Sequence, residues 1–330
     1  MLSHLIHNFD GVGLATEFGD IRQRLQMFSC KTPLTEGDAF ATLCMMSCAI
    51  LCGERDRCQT FLDTLWDFSC SILRNPEFGG ARRSLLRCSE TLWFIIKVAI
   101  WFDVMAAVTL TRSPKSLDTI RDLFGHEISL HDEATVPLEV YSMLPIVGCE
   151  NDVVLALAEI AHLAHWKDVH TAAGNLDIVE LVMRGQGIEE TLKKPSSFIS
   201  EQSSTSFDKQ AHTRYLTSEV LRASAHVYLQ SVISGDYPRC QPIIKAVDET
   251  LTCLKAVHEG HTRSVIFGLY ICGCLTDDAG HRTYILERLI KHQAGPSGNI
   301  GVLIEDAWRQ RNGGPVDWRK IVRDAGMLLV

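Results

Sequence analysis

Residues 92–110 read Leu-Trp-Phe-Ile-Ile-Lys-Val-Ala-Ile-Trp-Phe-Asp-Val-Met-Ala-Ala-Val-Thr-Leu, the most apolar segment of the chain. The run is long enough to span a bilayer. Lys97 and Asp103 sit near its middle, however, and each costs about 2.5–3.5 kcal/mol at a membrane centre. A buried central helix near 85–110 is therefore the better reading. A lone carboxylate between Phe102 and Val104 would cost several kcal/mol to bury. Asp103 is thus expected to have a fixed partner. Arg112 lies just past the helix end, and the turn through Ser113-Pro114 could fold it back onto Asp103. Backbone N–H groups of that turn are the other candidate donors. The plain alternative is an Asp103 that faces solvent at a helix rim.

Outward from this segment, three-or-four periodicity continues. Phe61, Leu62, Leu65, Trp66 and Phe68 form one amphipathic cluster. Val153, Val154, Leu157, Ile160, Ala161 and Ala164 form a second helix face, and the series from Leu216 to Ser231 predicts a long helix over 208–233. Ile243, Ile244, Val247, Leu251 and Leu254 predict the next. No alternating β-branched run competes. The fold expected is all-α: an irregular bundle of about a dozen helices. Thr35 begins a Thr-x-x-Asp capping pattern after Pro33, and Asp118 suits the start of a short helix. Residues 193–206, Lys-Lys-Pro-Ser-Ser-Phe-Ile-Ser-Glu-Gln-Ser-Ser-Thr-Ser, are Ser-rich and aperiodic. They are expected to form a flexible loop between an N-terminal half, 1–192, and a C-terminal half, 207–330, packed as one domain. Gly-rich stretches at 294–301 and 313–314 are expected to separate the last helices.

The 330 residues are 46% hydrophobic and 22% charged, which excludes wholesale disorder. A net charge of −8 argues against a dominant nucleic-acid footprint. The first residues, Met-Leu-Ser-His-Leu-Ile-His, lack the basic start and apolar core of a signal peptide. The twelve Cys are then expected as free thiols in a reducing compartment.

Four constellations could carry chemistry, and each has a plainer explanation. Cys44, Cys48 and Cys52 lie four apart, but zinc sites draw ligands from two segments across a turn. They are expected to be reduced, packed thiols, as are Cys272 and Cys274. His162, His165 and His170 share one predicted helix without a His-Glu-x-x-His pattern. Asp277-Asp278 and Asn151-Asp152…Glu159 approach the magnesium motifs of terpene synthases. The third acid and the hydroxyl residue are missing, Leu155 stands in the latter's place, and the order is reversed. No nucleophile elbow, P-loop or dinucleotide fingerprint occurs.

From about 85 to 330 the chain resembles the fungal-specific transcription factor domain. Trp101-Phe102-Asp103-Val104 followed by Thr111-Arg112-Ser113-Pro114 is similar to the family's Trp-x-Asp helix and Gly-Arg-x-Pro-like turn, with Thr111 in the place of the small residue. Leu221–Leu229 is similar to its Ala- and Tyr-Leu-containing helix. Val265–Cys274 resembles its Pro-Leu-Phe-x-Ala-Gly-Cys stretch, with Gly268 for Pro and Gly273 retained. Arg282, Ile285 and Leu289 follow in place, and Trp308 and Asp317-Trp318 resemble the closing Trp motifs. The family's DNA reader needs six close Cys beginning with Cys-x-x-Cys, and no Cys-x-x-Cys occurs in this sequence. The chain is expected to be either the regulatory part of a longer regulator or a relative without the reader.

The resemblance implies control of transcription in the nucleus, or between cytoplasm and nucleus, by a domain whose two packings a ligand or partner biases differently. It implies a homodimer, transcriptional co-regulators and a small-molecule effector as partners. No cofactor, metal, catalytic residue, direct nucleic-acid contact or membrane is expected. Trp101, Asp103, Arg112, Pro114, Gly273, Trp308 and Trp318 are expected to be structural. A stand-alone small-molecule-binding protein and a magnesium-dependent terpenoid enzyme are the alternatives. A stand-alone sensor would bind a small molecule with no upstream module, the enzyme would turn over an allylic diphosphate, and in the regulator reading a pocket between helices is the expected sensing site.

Overall fold

The computed structural model describes residues 34–52, 55–125, 140–194, 209–291, 297–311 and 314–329. Among them are fourteen α-helices and no strand. Helix α1 (Glu36–Cys52) opens on the expected capping box. The Asp38 N–H donates to Thr35 Oγ1 at 3.2 Å, and the Thr35 N–H donates to Asp38 Oδ2 at 2.9 Å. Two donors that the first turn would leave orphaned are so satisfied. Helices α2 (Arg55–Leu73) and α3 (Ala81–Arg87) follow, then the central helix α4 (Glu90–Leu110).

The central helix begins at 90, not near 85. Ser89 accepts from the Leu92 N–H at 3.1 Å and caps α4, which detaches residues 81–87 as a helix of their own. Ile95, Ile96, Ile100, Val104 and Met105 are fully buried. The apolar run is thus enclosed by neighbouring helices.

After α5 (Leu117–Phe124) and α6 (Leu144–Val147), the long α7 (Asn151–Ala172) packs against α4 on one side and α9 (Lys209–Ser234) on another. Its Val153, Leu157, Ile160, Ala161 and Ala164 are all buried. Helix α8 (Ile178–Leu192) lies on α7 and α9. Helices α10 (Gln241–Ala256), α11 (Ile266–Cys274), α12 (Ala279–Ile290), α13 (Ser297–Gln310) and α14 (Trp318–Asp324) complete the bundle. One apolar core runs from Trp66 to Leu329. A second, smaller one joins Leu43 and Met46 of α1 to Leu62, Leu65, Ile95 and Ala99.

Two expectations need correction. Cys44 is exposed and Cys48 half-buried, because α1 turns Leu43, Met46 and Ala49 inward instead. The break expected over 294–301 does not extend to Gly301: α13 already starts at Ser297 and carries both Gly298 and Gly301. The Ser-rich stretch from 195 onward, the segment 1–33 and the Cys52 side chain lie outside the described residues.

Candidate functional site

The C-terminal end of α4 builds the first of two polar junctions. Thr111 ends the helix in the left-handed region, φ 52°, and its N–H returns to the Ala107 carbonyl. This reversal brings Arg112 back over the helix it has just left. Arg112 Nη2 donates to Asp103 Oδ1 at 2.7 Å, while Asp103 is fully buried. The second carboxylate oxygen accepts from the Ser116 N–H at 2.8 Å and the Ser116 hydroxyl at 2.7 Å. Pro114 is buried within the same turn. Helix α7 supports it from below: Ser113 Oγ lies 3.0 Å from His162 Nδ1, and the Thr111 carbonyl 3.3 Å from His165 Nδ1. Burial and nearby Arg121 hold His162 below the ordinary imidazole range. Trp101 is not part of this junction. It is half-buried against the main core.

The second junction converges on α11. Trp308 Nε1 donates to the Gly273 carbonyl at 2.8 Å. A Cβ on Gly273 would lie 2.7 Å from Ile304 Cδ1 and 3.0 Å from its Cγ2, so a side chain there would force Ile304 to shift where α11 meets α13. Arg282 stacks over the Trp308 ring at 4.6 Å. Trp318 is fully buried among Tyr228, Phe267 and Tyr270, and the Tyr270 hydroxyl donates to the Trp318 carbonyl at 2.8 Å.

Asp277, Asp278 and Glu159 of the magnesium-like motifs are committed elsewhere. Burial opposes the charge of Asp277, but hydrogen bonds from Arg311 and Arg239, with Arg282 beside it, hold its carboxyl below the usual carboxylate range. Asp278 caps α12 through the His281 N–H. Asn151 ties Met143 N–H and the Tyr141 carbonyl to α7, and Glu159 holds Arg121 through both oxygens. Among the described residues no three His, Cys, Asp or Glu are grouped to hold a metal ion.

Several structural polar residues escaped the sequence reading. Arg288 is buried and donates to the carbonyls of Leu254 and Val257 and to the Tyr284 hydroxyl. Arg222 joins Glu150 at 2.6 Å, linking the start of α7 to α9. The Tyr284/Arg288 spacing of four and the Glu219/Arg222 spacing of three on one helix were the local signals.

A cavity of about 630 Å³ opens between α6, the start of α9 and the 3₁₀ segment Glu259–Val265. Ile146 and Val147 form its apolar wall, and Thr213, Arg214 and Thr217 face them from α9. Gly148 closes α6 in the left-handed region, φ 67°, with its bare Cα toward the Thr217 methyl. A smaller cavity of about 330 Å³ lies between Cys58 and Leu62 of α2 and Arg323 and Met327.

The described residues form an all-helical fold, the class the sequence resemblance implied. The chain belongs to the fungal-specific transcription factor domain family, which matches it over residues 16–330. It is 26% identical over 248 residues to transcription factor dibT of Pestalotiopsis microspora, covering 68% of this chain and 38% of that protein. It is 23% identical over 243 residues to the ustiloxin B cluster transcription factor ustR of Aspergillus flavus, covering 70% and 39%. It is 26% identical over 196 residues to the trichothecene biosynthesis transcription regulator TRI10 of Fusarium sporotrichioides, covering 55% and 43%. The chain thus spans about two fifths of the length of these curated relatives. No solved structure matches it.

Proposed function

We propose that this chain is the regulatory body of a fungal transcription regulator, working in the nucleus without catalytic chemistry. The observation that carries the reading is the family match across residues 16–330. In this reading the halves at 1–192 and 207–330 act as one body, which binds no DNA by itself. It self-associates, contacts co-regulators and changes its packing when an effector fills the cavity between α6 and α9. The commitment of Asp277, Asp278 and Glu159 to arginines and helix caps supports a non-enzymatic role. A fusion of the chain to a heterologous DNA-binding module tests the proposal in a fungal reporter strain. The fusion should change reporter output severalfold relative to the module alone, and a fluorescent version should gather in nuclei. A well-expressed nuclear fusion with no effect on the reporter overturns the regulatory role. A specific shift of duplex DNA by the unfused chain overturns the absence of direct DNA contact.

A further inference from the structure

The cavity between α6 and α9 carries two cations, Arg214 and Lys209, on its lining. Arg214 is half-buried, and its guanidinium has no hydrogen-bond or ion-pair partner among the described residues. The Lys209 ammonium at the rim is likewise unpartnered. Arg112, Arg222, Arg288 and Arg311, by contrast, each hold a carboxylate or backbone carbonyls. No Asp or Glu lines the cavity.

An unpaired guanidinium gains most from a planar anion that accepts two parallel N–H bonds. Ile146 and Val147 on the facing wall offer nothing to a bare inorganic ion, yet they suit a hydrocarbon body. The volume lies in the range of small-molecule sites. We infer that this cavity binds a small amphipathic organic acid, its carboxylate on Arg214 with Lys209 at the rim and its apolar body against Ile146 and Val147. The assignment rests on the reading of the chain as an effector-responsive domain and gives that effector its chemical class.

Calorimetry on the full chain tests it with octanoate as the probe, octan-1-ol as the neutral body of equal length and inorganic phosphate as the head alone. Octanoate should bind saturably at one site and raise the melting temperature. Octan-1-ol and phosphate should each bind at least about tenfold more weakly. Arg214→Gln should weaken octanoate by at least about tenfold, and Thr213→Glu, which sets a carboxylate in the cavity, should abolish it. Both variants should keep the wild-type circular dichroism, since neither side chain holds another element. Absence of saturable octanoate binding overturns the assignment. So does equal binding of octan-1-ol, tighter binding of phosphate, or octanoate affinity unchanged in both variants. Loss of this binding with reporter regulation intact sinks the ligand class alone. Binding intact with a silent reporter sinks the regulatory reading alone.

Discussion

Arg323 of α14 donates to the Thr111 hydroxyl at 2.8 Å, across 212 residues of sequence. Thr111 is the one non-glycine residue with positive φ among the described residues. A β-branched residue there costs about 1–2 kcal/mol, and the Arg323 bond returns about 1 kcal/mol. Thr111→Gly should therefore leave stability nearly unchanged, since it relieves strain as it loses the bond. Thr111→Val keeps the strain and loses the bond, so it should fall about 1–2 kcal/mol below the Gly variant. Urea denaturation of the two decides, and equal midpoints would reject the strain argument.

The Asp103 carboxylate has three donors and no solvent. Removing either member of the pair strands buried polar groups. Asp103→Ala and Arg112→Ala should each cost about 3–5 kcal/mol. Because Arg112 is partly exposed, Arg112→Ala leaves the worse orphan, a buried anion, and should be the more damaging. A denaturation midpoint unchanged in Asp103→Ala would show that the pair does not stabilise the fold.

Lys97 is buried in α4, with its ammonium 3.6 Å above the Trp93 ring and donating to the Ser142 carbonyl at 2.6 Å. Burial depresses its pKa to about 7. Between that value and the ordinary lysine range the unfolded chain binds more protons than the folded one, so this group makes stability rise with pH. Below about pH 7 the cost of the buried charge is fully present. In Lys97→Met that rise is gone. The stability difference, wild type minus variant, should therefore climb steadily from pH 6.5 to pH 9 in parallel melts. A flat difference refutes the depressed ammonium.

Gly273→Ala tests the close approach of α11 and α13. The added methyl should clash with Ile304 and cost about 1–3 kcal/mol, despite alanine's better helix propensity. Ile304→Val removes the nearest carbon, Cδ1, and should recover part of that loss in the double variant. Strict additivity of the two substitutions would place the clash elsewhere.

The Asp103–Arg112 contact was legible because a charge inside an apolar helix demands a local partner, and few cations were near. The long helices α7 and α9 were legible from periodicity alone. Register and distance were harder. Trp101 was grouped with Asp103 by adjacency, yet residues two apart on a helix do not share a face. Cysteines spaced by four mark a face without saying whether it points inward, and in α1 the buried face belongs to Leu43 and Met46. Ser89 lacks the acidic partner three residues on that makes a capping box visible, so the start of α4 was missed. The Arg323–Thr111 bond joins parts of the chain that share no local pattern. The cavity's unpartnered Arg214 appears only once three separate elements surround it.

The placement of Trp318 has a consequence for biosynthesis. While the polypeptide is being made, α9 and α11 leave the ribosome with the slot between Tyr228, Phe267 and Tyr270 still empty. The nascent chain therefore presents apolar surface to chaperones until residue 318 has emerged. A premature stop anywhere before that codon would release a product with a permanently open core, a substrate for degradation rather than a shortened regulator.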